Sequence, residues 1–61
     1  MTNLTTKELT ALDDQIRHEQ VLVKKYQAMA CLCSDEKLRT DLECIAGKHQ
    51  QHAETLLGFL Q

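Results

Sequence analysis

Ala30-Cys31-Leu32-Cys33-Ser34-Asp35-Glu36-Lys37-Leu38 separates two long stripes of regularly spaced apolar residues, and the shortness of that separation decides the fold. Before it, Leu9, Leu12, Ile16, Glu19, Val23, Tyr26, Ala30 and Cys33 recur at alternating steps of three and four. After it, Leu38, Leu42, Ile45, His49, His52, Leu56 and Phe59 keep the same rhythm. Each set lies along one face of an amphipathic helix. Ser34-Asp35-Glu36 supplies an N-cap and acids for the positive end of the second helix. At the other extreme, Thr5 followed three residues later by Glu8 has the form of a capping box. With no proline in the chain, the pattern predicts one all-α domain over 1–61. Its helices run over about residues 5–32 and about residues 35–60. A turn this short makes them an antiparallel hairpin.

Folding the chain about residue 34 pairs positions whose numbers sum to 68. Every stripe position then meets a stripe position: 9 with 59, 12 with 56, 16 with 52, 19 with 49, 23 with 45, 26 with 42 and 30 with 38. Leu22 and Met29 flank the first stripe, and Ala46, Ala53 and Leu60 flank the second, so the reading leaves these apolar side chains wet. A second hairpin would cover them, and a twofold-related copy is the simplest source. The expected assembly is a homodimeric four-helix bundle.

Composition narrows the function classes. A chain of 61 residues has a marginal core and needs disulfides, a metal or a partner. Its three cysteines cannot all pair with one another, and no amino-terminal stretch joins basic residues to an apolar run. These features argue against a secreted disulfide scaffold and for a reducing, cytoplasmic compartment. The net charge of −2 is spread over both signs, and one Tyr and one Phe make no base-stacking platform, so nucleic acid is not an expected partner. No apolar run approaches the roughly 20 residues of a membrane span. There is no Gly-rich phosphate loop, and no cysteine has a stripe histidine in reach, so no residue is assigned a catalytic role.

The polar members of the stripes carry the chemistry. Glu19 stands where an apolar residue belongs, and a buried carboxylate must be protonated, paired or bound to a cation. His49 faces it in the fourth of the seven layers. His52, three residues further on, projects from the same helix face one layer along. A carboxylate with two imidazoles is a transition-metal ligand set, and a second copy would double it. Glu19, His49 and His52 are therefore the expected ligands of a transition-metal ion. The alternative is a structural polar layer that fixes register as an ion pair and binds no metal.

Ile45-Ala46-Gly47-Lys48-His49-Gln50-Gln51-His52-Ala53-Glu54-Thr55-Leu56-Leu57 resembles the second-helix motif of the ferritin-like superfamily, which includes rubrerythrins and small ferritin-like spore-coat proteins. In that superfamily one helix offers a Glu and the next an E-x-x-H-A motif, and two such pairs hold a di-iron or di-manganese centre. The resemblance implies that Glu19 is the first-helix ligand and that His52, followed by Ala53, is the motif histidine. His49 occupies the place of the motif's glutamate. That substitution removes a carboxylate from each half, disfavours oxidative di-iron chemistry and favours a nitrogen-rich site such as zinc. The likeness to spore-coat proteins also implies coat or oligomer contacts, for an assembly module with a degenerate site.

Other residues read as structural. Tyr26, on the face of Glu19 and opposite Leu42, is read as packing, with a hydroxyl able to turn toward the polar layers or the rim. His18, Glu43 and Glu54 point outward. Cys31, Cys33 and Cys44 lack the spacing of a zinc site, leaving Cys33 to small-residue packing and the others to crosslinking under oxidation. Gly47 falls mid-helix on an outward position, where it would admit another chain at close approach.

Overall fold

The computed structural model describes residues 3–61. Helix α1 spans Thr6–Leu32 and α2 spans Glu36–Leu57, which runs on into one 3-10 turn, Gly58–Leu60. Among the described residues there is no strand. The two helices form a hairpin 46 × 16 × 11 Å in extent, and Met1 and Thr2 lie outside the described residues. No helix among the described residues is long and apolar enough to cross a membrane.

The helix ends are built by the residues that announced them. The Thr5 hydroxyl accepts the Glu8 N–H at 3.1 Å, and the Glu8 carboxylate accepts the Thr5 N–H at 2.9 Å. Both halves of the capping box are thus present. At the turn, the Cys33 N–H donates to the Ala30 carbonyl at 3.1 Å and closes α1. Asp35, among the three candidate capping residues, takes the N-cap of α2 and accepts the Leu38 N–H at 2.7 Å. Ion pairs Arg17–Asp13, Lys37–Asp41 and Arg39–Glu36 lie on exposed outer faces. Such pairs add only about 0.3–0.5 kcal/mol each and mark the solvated side of the helices.

The line of closest contact differs from the expected one on α2. Ala46 and Ala53, expected to stay wet, are buried to 4% and 1% exposure, whereas Ile45 is half-buried and His52 exposed. The inward line of α2 is therefore Leu42, Ala46, His49 and Ala53, with Leu56 half-buried at its end. It faces Ile16, Glu19, Val23 and Ala30 of α1, all buried. The cause is size. A two-helix contact closes further on small side chains, so the alanines take the line of nearest approach and the bulkier Ile45 and His52 straddle one side of it. The stripe also loosens at the open end of the hairpin, where Leu9 and Phe59 remain about half exposed.

Gly47 lies on the outer side of α2, and a Cβ placed there would meet nothing within 4 Å. Its φ is not positive, so no backbone demand explains it. Within one hairpin the glycine only weakens the helix. Gly47→Ala is expected to raise stability by about 1 kcal/mol, or about 4–8 °C in Tm for a domain of this size. Thermal melts at one protein concentration check this; a lower Tm would mean that a neighbouring chain needs the space.

Candidate metal centre

Glu19 sits midway along α1 in the contact line, 7% exposed, with the imidazoles of α2 closing over it. Oε1 lies 2.5 Å from His49 Nδ1, and Oε2 lies 3.3 Å from His52 Nδ1. One carboxylate thus engages two histidines, one oxygen to each. The His49 and His52 rings meet edge to face with centroids 5.6 Å apart and an interplanar angle of 89°. Among the described residues no buried side-chain nitrogen or oxygen lacks a hydrogen-bond partner.

Helical geometry explains why His52 joins the Glu19–His49 layer. Long side chains on a helix lean toward its N-terminus. In an antiparallel pair, Glu19 therefore leans toward the layer of His52, and His52 leans toward the layer of Glu19. Flat register placed His52 opposite Ile16; the lean carries it to the carboxylate. The same lean brings Tyr26 and His49 together. Their rings lie nearly parallel, with a centroid distance of 5.6 Å and an angle of 10°, so Tyr26 packs beside an imidazole of the cluster. The signal for that contact was in the sequence, since 26 and 49 sum to more than the register value and so converge.

The electrostatics follow from the contacts. The hydrogen bond from His49 is the largest influence on Glu19 and holds its carboxyl below the usual carboxylate value, against burial, which raises it; His52 adds to the lowering. The carboxylate is thus ionised near neutrality and can only accept, so both Nδ1 atoms carry the donated protons. A metal bound at these nitrogens needs each Nδ1 proton moved to Nε2 or, from a doubly protonated ring, released to solvent, and only the release makes binding pH-dependent.

The donor set could hold a metal ion. Glu19, His49 and His52 each offer one ligand atom, and these atoms lie within 4.8 Å of one another. Donors about 2.0–2.1 Å from a tetrahedral zinc stand about 3.3 Å apart. The Glu19–His52 separation of 3.3 Å already matches that edge. The Glu19–His49 separation of 2.5 Å is a short charge-assisted hydrogen bond and must open by roughly 0.8 Å. His49 and His52 retain 22% and 58% side-chain exposure, so an ion has a route in. His18, Glu43 and Glu54 are exposed and lie outside the cluster, as their positions predicted. Cys31 and Cys44 are exposed free thiols and Cys33 a half-buried one; none belongs to the cluster.

No family model matches the sequence, and no solved structure matches it. The uncharacterized protein YuzM of Bacillus subtilis (strain 168) is 29% identical to it over 58 residues. The similarity spans 95% of this chain and 72% of YuzM, so it runs through both helices and the turn.

A lowered Glu19 pKa has a definite sign. The stability it contributes is fully present above the unfolded carboxyl value and is lost as pH falls through the lower folded value. In metal-free protein, Glu19→Gln is therefore expected to be less stable than wild type at neutral pH, with the gap closing in acid. Denaturant midpoints measured from pH 7 down to 2 check this; parallel curves would show that the carboxylate gains nothing from its histidines.

Proposed function

We propose that this chain is a small transition-metal-binding protein in which Glu19, His49 and His52 hold the ion, and that two copies pair into a ferritin-like four-helix bundle. The convergence of these three side chains in the middle of the hairpin is the observation that carries the reading. One carboxylate and two imidazoles suit zinc better than the carboxylate-rich iron and manganese centres of the superfamily that the second helix resembles. The bound ion would orient ligands and neutralise the buried carboxylate. No oxidative step is assigned to it.

The pairing face follows from the position of the cluster. At about 100° per residue, Leu22 and Met29 of α1 and Ile45 and Leu56 of α2 fall on the side of the contact line that carries His52. Leu22, Ile45 and Leu56 are half-buried and Met29 is 40% exposed. The opposite side is a groove lined by Gln27, Glu43 and Gln50 together with the small or contact-line residues Val23, Ala46 and Gly47. A second copy laid on the apolar side buries these residues and brings two clusters face to face.

Protein purified without chelator and supplemented in turn with zinc, iron and manganese is expected to bind zinc stoichiometrically, and His52→Ala to abolish that binding. No stoichiometric metal in the wild type under any supplement would sink the proposal. In sedimentation experiments the wild type should run at twice the 7.0 kDa chain mass and Ile45→Lys as a monomer.

A second reading is favoured by the complete hydrogen bonding of Glu19 through its histidines alone. In it the chain is a structural or assembly module, spore-coat associated as the resemblance implies, and the polar layer only sets register. Glu19→Leu, His49→Leu and His52→Leu combined should then leave a dimer at least as stable as wild type. A zinc-dependent rise in the wild-type Tm would decide against it.

A further inference from the structure

We infer that Tyr26 is a positioning residue for the cluster: its ring holds the His49 imidazole in the plane that aims Nδ1 at Glu19. The χ2 torsion of histidine is broad, so the packing of α2 against α1 does not by itself fix the orientation of the ring. Three contacts fix it here. Tyr26 lies against the ring in a displaced, nearly parallel stack, with centroids 5.6 Å apart and an interplanar angle of 10°. His52 approaches at 89°. The Glu19 carboxylate takes the ring edge at Nδ1. The parallel ring limits rotation about χ2, and the hydrogen bond selects the orientation with Nδ1 toward the carboxylate.

Helix α1 supplies both devices. Glu19 and Tyr26 are seven residues apart, two turns along one face, and His49 stands between them. The electron-rich phenol face also favours an electron-poor ring beside it, which is what a metal-bound or protonated imidazole is. The stacking needs the aromatic ring and not the hydroxyl. Tyr26 therefore acts through His49 and is not itself a ligand.

Where metal affinity is the readout, this inference rests on the metal reading above; where ring orientation is the readout, it does not. Zinc affinity measured by competition, and His49 ring resonances measured by NMR in metal-free protein, separate the two. Tyr26→Phe is expected to bind zinc within twofold of wild type, and Tyr26→Leu about tenfold more weakly, the lower end of what loss of a supporting residue costs a metal site. In metal-free wild type and Tyr26→Phe the His49 ring protons should carry a ring-current shift from the neighbouring ring. In Tyr26→Leu that shift should vanish while helicity is retained. Unchanged His49 resonances in Tyr26→Leu would overturn the inference, as would a Tyr26→Phe variant that loses affinity as far as Tyr26→Leu does. If wild type takes up no zinc, the metal reading fails and the resonances alone decide the role of Tyr26.

Discussion

A carboxylate in the contact line between two helices has to be satisfied from the opposite helix, and that requirement organises the middle of this hairpin. Glu19 is buried and ionised, and both of its oxygens are used. Burying such a group without partners would cost several kcal/mol, comparable with the whole stability of a domain this small. Register is consequently fixed at its centre. Sliding α2 by one turn so that Ile45 and Ala46 came opposite Glu19 would take both histidines away and leave the charge facing an apolar layer.

The small residues of α2 make this arrangement reachable. With Ala46 and Ala53 at the closest approach, the backbones come near enough for a short carboxylate to touch imidazoles across the interface. The same closeness turns Ile45 and His52 to one side, so the polar cluster opens onto the face that also bears Leu22, Met29 and Leu56. Packing and chemistry therefore point in one direction. On the proposed reading, the face that would receive another copy is also the one on which His52 is exposed.

Much of this was legible in the residues. Thr5 with Glu8 and Asp35 with Leu38 mark the helix starts because capping hydrogen bonds are local and depend on residue type alone. The Glu19–His49 layer follows from counting about a very short turn. What counting missed was rotation and lean. Apolar spacing cannot say whether Ile45 or Ala46 faces the partner helix, since both fit a helical stripe and side-chain volume decides between them. Nor does a flat register show that Tyr26 reaches His49, because the inclination of side chains along the helix axis moves such contacts by more than a layer.

Glu19 and His52 are 33 residues apart along the chain and lie on opposite arms of the hairpin. A link between them closes a loop that takes in more than half of the molecule. A covalent bridge over such a loop would restrict the unfolded chain by an amount worth about 3–4 kcal/mol. A chelated ion at the same place would act as a removable staple of similar reach, gathering the two arms at their midpoint and leaving both ends of the hairpin to fray. The chain could then be made rigid or loose by the supply of an ion, with no change in its covalent structure.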